Sequence, residues 1–187
     1  MTKAKSNVMT DFGAPIIVLV LICVIMSALL ALTNKATAPV IAEAERKANE
    51  EARMEVLPEA DSFEQVEIAG VPDSITGVFA ASNGAGYTFS ITAEGYGGKN
   101  TLKMVVGIDA EGKITGTKVL SQSETPGLGA KIVSDASFSA QFPGKDASYV
   151  SDIKNIDTIS GATRSSNFYR LALTYAFEAF DMVKEAA

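Results

Sequence analysis

The sequence predicts an α+β protein, with one N-terminal transmembrane helix followed by a single domain in which a β-sheet packs with helices. Three observations carry this expectation. Residues 14–33 form an uncharged apolar run, residues 62–124 are dominated by strand signals set between turns, and residues from 165 onward return to a helical period. The expected partition is an N-terminal tail over 1–13, a transmembrane helix over 14–33, and one domain over 34–187 that includes a membrane-proximal helix.

The apolar run reads APIIVLVLICVIMSALLALT. Its roughly 20 residues, at ~1.5 Å rise each, match a hydrocarbon core of about 30 Å. A core helix of a soluble domain would show a polar face, and this run has none. The rival reading is a secretory signal, with Lys3 and Lys5 as its basic start and Ala36-Thr37-Ala38 as a cleavage site. The run exceeds the ~7–15 apolar residues of a signal core, which favours a retained anchor. Cations on both sides (Lys3 and Lys5 before, Lys35, Arg46, Lys47 and Arg53 after) leave the positive-inside count undecided. A short basic tail that stays inside puts the domain outside the cytoplasm.

A second helix is expected over 37–57, ended by Pro58. Ile41, Ala44, Ala48, Ala52 and Val56 recur at helical spacing, and Glu43 stands four residues before Lys47. This alanine-rich stripe suits either its own domain or a partner helix. Strands are expected at 76–81 and 87–92 around the turn 82–86. A hairpin follows, in which Leu102, Met104, Val106 and Ile108 alternate with Lys103, Val105 and Gly107 before the turn 109–112 and the strand 113–120. The closing helix is expected to start near Ser165 and to bury Phe168, Leu171, Tyr175, Ala179 and Met182.

Composition narrows the chemistry. A formal net charge of −6 opposes nucleic-acid binding, which needs a basic face. With no histidine and one cysteine, Cys23 in the apolar run, the chain lacks the parts for a Ser-His-Asp triad, a His-ligated haem, a cysteine-ligated cluster or most zinc sites. Redox chemistry here must come from an organic cofactor.

Three segments can carry a ligand. Gly95-Tyr96-Gly97-Gly98-Lys99 is neither a P-loop nor a dinucleotide fingerprint, because the spacing and the following helix are missing. It reads as a turn, and Gly97 would also permit close approach to a planar ligand. Glu124-Thr125-Pro126-Gly127-Leu128-Gly129 reads equally as a connecting turn or as a loop presenting backbone N–H groups, with Leu128 as an apolar cover. Asp157-Thr158-Ile159-Ser160-Gly161-Ala162-Thr163-Arg164-Ser165-Ser166 precedes the last helix. Ser165 or Ser166 can cap that helix, and the same helix start suits a phosphate. Small Ser160, Gly161 and Ala162 leave Thr163 open to a modifying enzyme.

The anchor, GYGG at 95–98, ETPGLG at 124–129 and SGATRSS at 160–166 occur together in this order. The set resembles the FMN-binding domain of the G subunit of Rnf/Rsx ion-translocating electron-transport complexes, over essentially the whole chain. It is also similar to the C subunit of the sodium-translocating NADH:quinone reductase, a generally longer chain.

The resemblance implies FMN held through a phosphoester on the threonine of D-x-x-(S/T)-G-A-T, matched here by Asp157, Ser160, Gly161, Ala162 and Thr163. Ser165, Glu124, Thr125, Gly127, Leu128 and Gly97 join these as expected cofactor-binding residues. Arg164 is either a charge partner for the phosphate or a solvated cation. Relatives often carry histidine before ETPGLG; Gln122-Ser123 stand here, so no histidine role is carried over.

The resemblance further implies a relay between ferredoxin and NAD⁺ across several membrane subunits, coupled to Na⁺ or H⁺ movement, with no nicotinamide site in this chain. A threonine hydroxyl is a poor nucleophile without a base or metal. A separate flavin transferase with FAD as donor is therefore expected, the donor being implied by the resemblance. A related quinone-reductase subunit or freestanding extracytoplasmic FMN carrier, and a non-redox membrane-anchored binding protein, are the alternatives. Co-purifying membrane subunits argue against the first, and a coloured protein against the second.

Overall fold

The computed structural model describes residues 13–186; the expected tail, with Lys3 and Lys5, lies outside the described residues apart from Gly13. Helix α1 spans Ala14–Val56, and the chain divides into two units after Arg46. In the first unit the apolar residues of α1 are exposed, Ile16 at 60% and Leu32 at 65%, and the helix is long and apolar enough to cross a membrane. The two expected helices, 14–33 and 37–57, are one element. Residues 34–38 contain no glycine to end the helix, and Pro39 lies inside it. Proline removes one N–H, the donor that would reach the Lys35 carbonyl four residues back. In the turns before it, the Thr37 hydroxyl donates to the Thr33 carbonyl at 3.0 Å and that of Thr33 to Leu29 at 2.9 Å. Glu43 pairs with Arg46 at 2.8 Å.

The second unit, from Lys47, holds a five-stranded antiparallel meander. Its strands are β1 (Phe63–Val66), β2 (Ile75–Ala81), β3 (Gly86–Gly95), β4 (Gly98–Asp109) and β5 (Ile114–Gln122), adjacent in chain order. Short helices α2 (Lys131–Ser134), α3 (Ala136–Ala140) and α4 (Ala147–Ser151) follow, and α5 (Thr163–Ala186) closes the chain. The expected strands are present, each a little longer than its strongest signal.

Alternation sends Phe89, Ile91 and Ala93 of β3 and Leu102, Met104, Val106 and Ile108 of β4 to one face, against α5. Fully burying one such Phe or Leu contributes roughly 1.5–3 kcal/mol. The buried side of α5 is Tyr169, Ala172, Leu173, Ala176, Phe177, Ala179, Phe180 and Val183. The expected stripe is therefore displaced, for of its members only Ala179 is buried. The helix is apolar around much of its circumference, and small alanines are what allow it to lie close to the sheet. Phe168, Leu171 and Tyr175 instead line a cavity of about 450 Å³ with Asp73, Ser74, Thr92, Ala93, Glu94, Lys99 and Asn100.

The opposite face of the sheet is also covered. Ala52 and Val56, the end of the expected membrane-proximal stripe, pack on Val105 beside Leu120. The Thr115 hydroxyl donates to the Val56 carbonyl, and Lys118 pairs with Glu55 at 2.9 Å. Within this unit the end of α1 lies on its own domain.

Candidate functional site

Three chain segments converge at one end of the sheet. The first is the β3–β4 hairpin tip, where Gly95 pairs with Gly98 and Tyr96-Gly97 form a two-residue loop. Tyr96 projects from this tip and is 57% exposed. The second segment leaves β5 at Gln122 and folds back at Thr125, whose carbonyl accepts from Leu128 N–H at 3.1 Å and Ala130 N–H at 3.2 Å. Gly127 sits at φ +76° within that turn, a value that favours glycine.

The third segment enters α5. Ala162 N–H donates to Ile159 at 2.9 Å, and Gly161 sits at φ +77°. The helix begins at Thr163, two residues before the expected start. The two serines therefore lie inside the first turn and are buried. Ser166 Oγ accepts from Ile159 N–H and donates to the Ala162 carbonyl, both at 3.1 Å, which closes the entry loop. Ser165 turns towards Glu124.

Glu124 ties the three segments together. It is 6% exposed, and its carboxylate has a donor on each oxygen. Tyr96 N–H donates to Oε1 at 2.7 Å, and the Ser165 hydroxyl donates to Oε2 at 2.5 Å. Burying a carboxyl costs several kcal/mol, on the order of a lost hydrogen bond or more, unless it is bonded in this way. Room for it comes from two motif glycines. A Cβ on Gly95 would stand 2.6 Å from Glu124 Oε1, and one on Gly129 would stand 2.5 Å from both Glu124 Oε2 and Ser165 Oγ.

In front of this junction lies a cavity of about 340 Å³, lined by Tyr96, Thr125, Leu128, Gly129, Gly161, Ala162, Thr163, Arg164 and Ser165. Of the residues singled out from sequence, Thr163, Gly161, Ala162, Ser165, Thr125 and Leu128 are brought together here. Ser160, Glu124, Gly127 and Gly97 are not in the lining, although all four belong to the same three segments. Leu128 is 48% exposed, and Thr163 is exposed as the first residue of α5.

The Arg164 guanidinium lies 5.4 Å from the Tyr96 ring and 5.9 Å from that of Phe168. Such contacts hold a cation over an aromatic face with about 0.5–1 kcal/mol each at exposed sites. Tyr96 and Gly129 also line the cavity, although neither was among the expected cofactor-binding residues, which took Gly97 and Gly127 from the same two motifs. Both lie within the GYGG and ETPGLG motifs, and the two-residue hairpin loop was the signal that an aromatic side chain would project there.

The cavity is a small amphipathic pocket. It offers two apolar covers, one cation, the hydroxyls of exposed Thr125 and Thr163, and the first-turn N–H groups of a 24-residue helix, which have no intrahelical acceptors. Such a pocket suits a planar ring attached to an anionic group.

Comparison with known proteins agrees with this chemistry. The family model described as FMN-binding domain matches residues 95–178, from the hairpin tip into α5. The chain is 34% identical over 162 residues to the G subunit of the ion-translocating oxidoreductase complex of Methanosarcina acetivorans, covering 81% of this chain and 85% of the relative. It is 34% identical over 173 residues to the G subunit of the Na⁺-translocating ferredoxin:NAD⁺ oxidoreductase complex of Acetobacterium woodii, covering 84% and 79%. Against the G subunit of the proton-translocating ferredoxin:NAD⁺ oxidoreductase complex of Clostridium ljungdahlii, identity is 31% over 157 residues, covering 79% and 80%. With likeness of this extent, and with the three motifs meeting around one cavity, the chain belongs to the G-subunit family of ion-translocating oxidoreductase complexes and contains its FMN-binding domain.

Proposed function

We propose that this chain is a membrane-anchored flavoprotein subunit that relays electrons within an Rnf-type complex, through FMN esterified by its phosphate to Thr163. The observation that carries the reading is an exposed threonine at the start of α5, at the edge of the cavity where all three motifs meet. The residues present fit the group. Thr163 supplies the attachment oxygen, while the helix N-terminus and Arg164 offer an environment for the phosphate worth about 0.3–1 kcal/mol at an exposed site. Tyr96 and Leu128 flank the space for the ring. When bound, the flavin supplies the electron chemistry.

The cavity lies near the lower end of the roughly 300–1,000 Å³ usual for ligand pockets. It therefore leaves part of the cofactor uncovered, as a relay between subunits requires. A tether holds the ring at high effective concentration whatever its intrinsic affinity, which matters most where free flavin is scarce.

Maturation needs a second protein, a flavin transferase with FAD as donor. Thr163 Oγ attacks the FMN phosphorus, the phosphoanhydride bond breaks, AMP leaves, and the hydroxyl proton passes to the transferase. Other membrane subunits complete the electron path. The relatives differ in coupling ion, Na⁺ in one and protons in another at similar identity, so the ion is a property of the whole complex in this reading.

The test is to coexpress the chain with its transferase and weigh the tryptic peptide 155–164, with Thr163→Ala in parallel. The expected peptide is heavier by FMN less one water in the wild type and unmodified in the variant. An unmodified wild-type peptide, with the transferase active on another substrate, overturns the assignment.

A further inference from the structure

Glu124 is buried, satisfied on both oxygens by the protein itself, and absent from the cavity lining. Its partners are a backbone N–H at the tip of one cavity wall and a hydroxyl in the first turn of the helix that forms the other. The hairpin contributes Tyr96 to the lining and α5 contributes Thr163, so one carboxylate sets the separation of the residue that flanks the ring from the residue that would carry it. Two glycines, Gly95 and Gly129, clear the volume that it occupies. The Ser165 bond spans 41 residues and the Tyr96 bond 28, so no local turn would replace either.

We propose that Glu124 is a positioning residue, a two-ended latch that fixes the flavin ring in one orientation against the protein. The inference rests on the reading that FMN is attached at Thr163. Without the latch the hairpin tip and the start of α5 are left with the looser contact of Arg164 to Tyr96. The attached ring then turns on its phosphoester tether. Attachment itself does not need the latch, since Thr163 is exposed and the carboxylate is bonded elsewhere.

The experiment uses the full-length, flavin-loaded chain in detergent and compares wild type, Glu124→Ala, Glu124→Gln and Ser165→Ala. Each is read by the mass of peptide 155–164, by visible-region circular dichroism and by flavin fluorescence anisotropy. Glu124→Ala is expected to carry the FMN mass and to lose the induced dichroism, its anisotropy falling towards that of FMN on a short peptide. Glu124→Gln is expected to keep most of both signals, because its carboxamide oxygen accepts from Tyr96 N–H while its NH₂ donates to Ser165 Oγ.

A folded Glu124→Ala protein with unchanged dichroism and anisotropy overturns the latch and leaves the carboxylate a purely structural group. Should Glu124→Ala fail to fold, Ser165→Ala, which removes one of the two bonds, is read by the same criteria. A wild-type peptide without the FMN mass overturns the attachment reading and the latch together, so the two failures are told apart.

Discussion

Tyr169 shows what a single buried polar atom does in this core. Its ring stacks on Phe142 at 5.2 Å and meets Phe138 edge-on at 5.1 Å, while its hydroxyl donates to Thr117 at 2.7 Å. Burial pushes the phenol pKa up to about 12, with the Thr117 hydrogen bond opposing the rise in part. The unfolded chain, with an ordinary tyrosine near 10, releases this proton first as pH rises. Stability supported by the neutral phenol is therefore present below pH ~10 and is lost between about 10 and 12, amounting to roughly 1–3 kcal/mol. Urea melts across that window should fall more steeply for wild type than for Tyr169→Phe. That variant gives up about 1 kcal/mol at neutral pH for its missing hydrogen bond. Equal slopes would mean that the phenol reaches water. The same scale explains the serines of the last motif, which look like helix caps in the sequence and prove to be buried loop fasteners. Which carboxylate Ser165 meets depends on a residue 41 positions away.

At the scale of elements, the outer face of the sheet carries a seat for the end of α1. Gly107 of β4 and Gly116 of β5 are cross-strand partners, and Val56 lies on the flat place they make. A Cβ on Gly107 would stand 2.5 Å from the Val56 carbonyl oxygen, and one on Gly116 would stand 2.9 Å from Val56 Cα. Those are backbone atoms that cannot rotate away. Gly107→Ala should therefore lift this helix end and cost about 1–3 kcal/mol, the usual range for overpacking. Amide hydrogen exchange should speed up over 52–57 while the α5 face of the sheet stays protected; unchanged exchange at Val56 would refute the seat.

Strands β2 to β5 were legible because residues facing α5 alternate cleanly with turns between them. The seat was not legible, since two glycines nine residues apart become a surface only once paired. The helices between β5 and α5 escaped the periodic reading because they have four or five residues each. A different signal was available: Asp135-Ala-Ser137 and Asp146-Ala-Ser148 are twin caps, each aspartate accepting from the serine N–H at 3.0 Å. The stripe on α5 was misplaced because an apolar helix does not announce which side meets a sheet, and the sheet chose the side bearing alanines.

For the whole molecule, we propose that the FMN-binding domain lies outside the cytoplasm, and the reason is chemistry rather than charge. Charge does not decide it, because Lys3 and Lys5 precede the apolar run and Lys35, Arg46, Lys47 and Arg53 follow it. The proposed attachment favours one side. In the cytoplasm flavin is replenished and equilibrium binding keeps a site filled, so a covalent link adds little. Outside, a lost cofactor is not replaced, and a phosphoester tether keeps the relay loaded. The proposed attachment at Thr163 and the proposed extracytoplasmic domain thus support each other. In this proposal the short basic tail stays inside and the apolar part of α1 crosses the cell membrane once. Alkaline phosphatase, which folds only where disulfides form, should be active when fused after Ala187, and a fluorescent protein that matures only in the cytoplasm should stay dark there. The reverse pattern would place Thr163 inside, beside the cell's own FMN, and would remove the functional reason for a tether even if the peptide mass showed one.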